Sequence, residues 1–151
     1  MKKIERDKAI FLSDIEANQE YYQHNSLCSC SVCRNFYAQI SGKYQELEDF
    51  LLEFGVDIVR PDELVWTEAE ETIDYIAMYT VKGDVLFLEE KEFLVGEQNI
   101  MVDETVNFPN EQVSPCFGIT VFSISLPWVL DKSLPHSQKK RWRLLKGIKR
   151  S

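Results

Sequence analysis

FGITVFSISL, residues 117–126, is the strongest strand candidate in the chain. Near its middle, apolar residues occupy both alternating faces, the pattern of a strand inside a sheet rather than at its edge. Working backward, residues 64–67 and 73–81 are β-rich runs separated by acidic EAEE, which predicts a hairpin with a loop somewhat longer than two residues. Lys82-Gly83-Asp84 is expected to turn the chain into a further run at 85–88, and two more short runs, 93–95 and 100–102, are divided by residues 96–99. The stretch VNFPNEQVSPC, with Pro109 and Pro115, reads as a loop leading into the central strand.

Further upstream the period changes. Ser13 followed three residues later by Glu16 has the spacing of a capping box and predicts a short helix over about 14–22. From Cys33 or Arg34 onward, Phe36, Ile40, Leu47, Phe50, Leu51 and Phe54 recur at helical spacing, with Tyr44 on the same stripe. This predicts one amphipathic helix that stops at Gly55 and carries Gly42 inside it at a cost of about 1 kcal/mol. Helices followed by a run of strands imply an α+β fold, with N-terminal helices packed on one face of a mainly antiparallel sheet. The turns are too closely spaced for βαβ crossovers.

The chain's 151 residues are one domain's worth, and its composition, 44% hydrophobic and 12% aromatic, is that of a globular protein. No stretch approaches the roughly 18 apolar residues of a membrane span, and the opening MKKIERDKAIFL lacks a signal-peptide core. The expectation is a cytoplasmic protein, where cysteines are more often free, metal-bound or catalytic than bridged. The net charge of −8 hides an asymmetry: residues 131–151 hold eight Lys or Arg against one acid, leaving nine Lys or Arg against 24 acids in residues 1–130. The chain is therefore read as an acidic α+β domain, 1–130, followed by a basic C-terminal tail or helix, 131–151. Trp142, Leu145 and Ile148 give that tail an apolar edge, and the preferred reading docks it on the acidic body, ahead of anionic membrane or nucleic acid.

The least ordinary feature is HNSLCSCSVCRNF, residues 24–36, with three of the four cysteines within six positions. His24, Cys28, Cys30 and Cys33 are four candidate ligands for a structural zinc, which takes thiolate and imidazole donors in a tetrahedron; Cys116 is a reserve. The same residues also allow a redox pair, Cys30 and Cys33, whose thiolate would be favoured at the start of a helix, although the strand expected before a thioredoxin-like motif is missing. They further allow a plain helix-entry loop packed with small residues. Cys116, between Pro115 and the central strand, reads as a small buried hydrophobe.

Cys28-x-Cys30-x-x-Cys33-Arg34-Asn35-Phe36, with LLEFGVDIVRPDE at 51–63, resembles a group of small bacterial proteins, chiefly of the Firmicutes, that share this pattern without an established activity. The likeness covers about the first 60 residues and implies that the cluster and the following helix form one unit.

The acidic pairs, such as Asp62 with Glu63, fall in turn-like segments and read as a solvated face. No Gly-rich phosphate loop, nucleophile elbow or H-E-x-x-H occurs, and the two histidines lie beside no obvious nucleophile. The functional expectation is a non-enzymatic binding or interaction protein of immunity or accessory type, presenting carboxylates to a basic protein partner and stabilised by zinc at the cysteines. Thiol oxidoreduction at Cys30 and Cys33, and nucleic-acid binding through the tail, are the alternatives.

Overall fold

The computed structural model describes residues 1–105 and 115–130. The basic tail, with its expected docking on the body, and most of the loop before the central strand lie outside the described residues.

The chain opens with a hairpin, β1 (Lys2–Arg6) and β2 (Ala9–Ser13), and continues into three helices, α1 (Ile15–His24), α2 (Ser31–Gln39) and α3 (Gln45–Glu53). The strands β3 (Glu63–Glu68), β4 (Thr72–Leu88), β5 (Glu92–Val95), β6 (Gln98–Asp103) and β7 (Cys116–Pro127) follow. All pairings are antiparallel, in the order β1-β2-β4-β7-β6-β5, with β3 also on β4. The expected α+β architecture is thus the observed one, and FGITVFSISL is an interior strand between β4 and β6.

β4 organises the sheet. Its residues from Thr72 to Lys82 pair with β7, while along the opposite edge its first half pairs with β3 and its second half with β2. Lys82-Gly83-Asp84 is therefore not a turn; the strand runs straight through it. The reason is steric. A Cβ at Gly83, where φ is +157°, would stand 1.9 Å from the carbonyl oxygen of Leu12, so glycine lets β2 approach closely enough to pair. The opening segment, in which the sequence shows no strand, is a hairpin because Ile4, Ala9 and Phe11 each turn a buried side chain to the core from an otherwise charged stretch.

The apolar stripe reads correctly: Phe36, Ile40, Leu47, Phe50, Leu51 and Phe54 are all buried. At about 1.5–3 kcal/mol each, their burial is a main source of helix docking. The single long helix expected from them, however, is two helices. Gly42, at φ +78°, sits in the connection between α2 and α3, where its N–H donates to Glu48 Oε1 at 2.7 Å, so it marks the break rather than weakening a helix interior. α3 does end at Gly55, through the paired bonds of Gly55 N to Leu52 O and Val56 N to Leu51 O. The first helix is capped one residue later than expected: Asp14 Oδ1 accepts from Ala17 N, while Ser13 closes β2. Ser13 Oγ instead donates to Phe54 O at 2.8 Å inside the core.

Between helices and sheet lies an aromatic nest. Phe11 stacks on Phe117 with ring centroids 5.5 Å apart and meets Phe54 edge-on at 5.2 Å, and Phe50 meets Phe54 at 5.1 Å. Asn18 ties the layers together: its Oδ1 accepts from Lys82 N at 2.7 Å and its Nδ2 donates to Phe54 O at 2.9 Å. A buried amide so engaged fixes α1 against both α3 and the middle of β4.

Candidate metal centre

α2 begins at the cysteines. Cys30 is its N-cap, in extended conformation, and Cys30 Sγ accepts from Cys33 N at 3.5 Å. Sulfur here does the work usually given to a serine or aspartate oxygen, receiving one of the unpaired amides of a helix start. One step upstream, Cys28 Sγ accepts from Cys30 N, also at 3.5 Å. The two bonds fold the loop so that the sulfurs of Cys28, Cys30 and Cys33 all lie within 4.8 Å of one another.

Three sulfurs held tetrahedrally at about 2.3 Å from one zinc stand about 3.8 Å apart, so the triangle needs to contract by no more than about 1 Å to hold such an ion. The amide hydrogens directed at the sulfurs of Cys28 and Cys30, and the positive end of α2, favour negative charge at those two positions. All four cysteines are free thiols. Burial is graded across the triangle: Cys33 is buried, Cys30 half-buried and Cys28 exposed.

The thiols differ accordingly. The amide of Cys30 beside Cys28 holds that thiol below its usual range, whereas burial, then the neighbouring sulfurs, pushes Cys33 well above it. Tyr37 packs beside the cluster, its hydroxyl donating to Cys28 O at 3.1 Å, and burial together with the nearby sulfurs raises its pKa. Within the C-x-x-C pair burial raises Cys33, and Cys28, whose thiol the Cys30 amide lowers, lies outside the pair. The residues before the pair are α1 and a loop, not a strand.

His24 is the sequence candidate that the structure does not bring in. It is exposed at the C-terminal end of α1 and does not belong to the sulfur group. The next residue explains the separation. Asn25 is locked to Arg60 by three bonds, Asn25 Nδ2 to Arg60 O at 2.9 Å, Arg60 Nε to Asn25 Oδ1 at 2.9 Å and Arg60 Nη2 to Asn25 O at 2.7 Å, which pins the end of α1 to the segment before β3. Cys116 opens β7, half-buried and likewise outside the group, its thiol raised by burial.

What holds α2 in place is a set of residues the motif reading passed over. Asn35, fully buried, donates from Nδ2 to Pro127 O at 3.0 Å and to the Tyr75 hydroxyl at 3.2 Å, and its Oδ1 accepts from Val129 N at 2.9 Å. Tyr75 in turn donates to Val32 O at 2.7 Å. The helix that carries Cys33 is thereby bolted to β4 and to the end of β7. The one signal in the sequence is an asparagine in the interior of an apolar helix stripe, an unfavourable placement unless its amide has a partner.

No family model, curated protein or solved structure matches this chain. No helix among the described residues is long and apolar enough to cross a membrane.

Proposed function

We propose that the protein is a non-enzymatic binding module whose helical layer is stabilised by zinc on Cys28, Cys30 and Cys33. The observation that carries this reading is the convergence of three sulfurs at the start of α2, with backbone amides directed at two of them. Zinc prefers such a donor set, and its binding free energy becomes folding free energy for the loop it closes. The Cys33 amide also caps α2, but the Cys30 amide directed at Cys28 Sγ lies outside that cap and brings the third sulfur to the group. The expected partner is a basic protein. Supporting this, Glu63, Glu70 and Glu71 are exposed along the β3–β4 hairpin, on a body whose first 130 residues hold 24 acids against nine Lys or Arg. The reading includes a cytoplasmic setting, since a reducing compartment keeps the thiols available.

The test is elemental analysis of untagged full-length protein: about one equivalent of zinc supports the reading. Less than about a tenth of an equivalent, with freely titratable thiols, overturns it.

A further inference from the structure

We propose that the ion on Cys28, Cys30 and Cys33 keeps a fourth position open to solvent, and that this position takes a thiolate from a small solvent-borne thiol. The inference rests on the metal-binding reading above and goes beyond it, because it makes the centre a ligand-binding site rather than a closed staple.

Three observations converge. First, the described residues supply three ligand atoms and no fourth: no other His, Cys, Asp or Glu among them joins the sulfur group. Zinc with three protein ligands completes its tetrahedron from outside, the arrangement of sites that bind a substrate rather than those that only brace a fold. Second, His24 is held away. It is not in the sulfur group, and the residue after it, Asn25, is tied to Arg60 by three bonds that fix the end of α1. Third, the burial gradient gives the vacant direction. Cys33 lies beneath, Cys30 at the side and Cys28 at the surface, so an ion resting on the three sulfurs faces outward past Cys28.

The chemistry of the donor set selects the ligand class. Soft thiolate surroundings favour a further soft donor, and the amides at Cys30 and Cys33 with the N-terminus of α2 stabilise the added negative charge. The exchange is balanced: a thiol RSH displaces bound water, its sulfur binding the metal as thiolate, its proton passing to solvent and the water leaving. No electron is transferred.

Cobalt(II) is the probe, because zinc's filled d shell is spectroscopically silent whereas thiolate-to-cobalt charge transfer reports the number of bound sulfurs. Full-length protein loaded with one equivalent of cobalt is titrated with 2-mercaptoethanol. The expected result is a saturable rise of the charge-transfer band by roughly one third, from three thiolates to four, with the molecular mass unchanged. The His24→Ala variant is expected to give the same starting spectrum and the same rise. A spectrum that ignores the thiol, or that changes on His24→Ala before thiol is added, places the fourth ligand within the chain and overturns the proposal. A mass that doubles on loading assigns the fourth sulfur to a second copy and overturns it equally. Failure to bind cobalt or zinc at all removes the metal reading as well, an outcome distinct from a loaded but unresponsive centre.

Discussion

The amide of Cys33 donates to the sulfur of Cys30 at 3.5 Å, so the first turn of α2 is capped by a candidate metal ligand. Capping and ligation thereby share one atom. Drawing the Cys30 sulfur onto an ion also fixes the helix start, and loosening the helix start moves the sulfur.

The differing environments of the thiols set an order of reactivity in metal-free protein. Only the thiolate attacks an alkylating reagent. Cys28, exposed and with its pKa lowered by the Cys30 amide, is favoured as thiolate, while Cys33, buried and with its pKa raised, is disfavoured. Time-resolved iodoacetamide labelling with peptide mapping should show Cys28 modified first and Cys33 last of the three. Cys33 reacting first would contradict the geometry.

Asn35→Ala should cost about 2–3 kcal/mol in urea unfolding of metal-free protein. It leaves Val129 N without its acceptor and Pro127 O with one donor fewer, both in a partly buried setting. Because Asn35 also positions α2, the variant should weaken zinc binding about tenfold or more, as loss of a residue orienting ligands does. Full stability with full affinity would show that the helix is held elsewhere.

The tyrosines give a pH dependence with a definite sign. Burial is the largest cause raising Tyr21, Tyr22, Tyr37, Tyr75 and Tyr79, with Tyr75 pushed up to about 12, and the Asp62 carboxylate, which accepts from Tyr21, adds to the shift there. A folded-state pKa above the unfolded value of about 10 means that the native protein holds protons the unfolded chain releases. Stability from this source is complete below about pH 10 and is lost as pH rises through the folded-state values. Absorbance at the phenolate band should therefore rise mainly with unfolding. Ionisation of these tyrosines near pH 10 in protein that keeps its native circular dichroism would contradict their burial.

Gly83→Ala should destabilise by about 3 kcal/mol or more, since the added Cβ meets backbone, Leu12 O at 1.9 Å, and cannot be relieved by a rotamer change. Thermal denaturation measures it. A loss below about 1 kcal/mol would mean that β2 does not pair with β4 at this point.

How much was legible in the sequence follows from where the decisive contacts lie. The helical stripe from Phe36 to Phe54 is written as local periodicity and the strand at 117–126 as an apolar run, so both could be read directly. Gly42 and Gly83 carry no such local sign. Each reads equally as a helix flaw, a turn or a close approach, and only the neighbouring element decides: Gly42 breaks the helix, and Gly83 admits β2. The hairpin of β1 and β2 stayed hidden because β1, KKIER, buries a single side chain, Ile4, too few for a period. At the site, the cysteines announced themselves by spacing. The placement of His24 did not, because it depends on Arg60 closing on Asn25 across 35 positions of sequence.

Counting reactive thiols with and without zinc tests whether the three sulfurs hold one ion. Metal-free protein under native conditions should expose its four cysteines to a disulfide reagent at differing rates, and one equivalent of zinc should protect Cys28, Cys30 and Cys33 together, leaving Cys116 as the one that reacts. Four thiols reacting at unchanged rates in the presence of zinc would show that Cys28, Cys30 and Cys33 do not bind it.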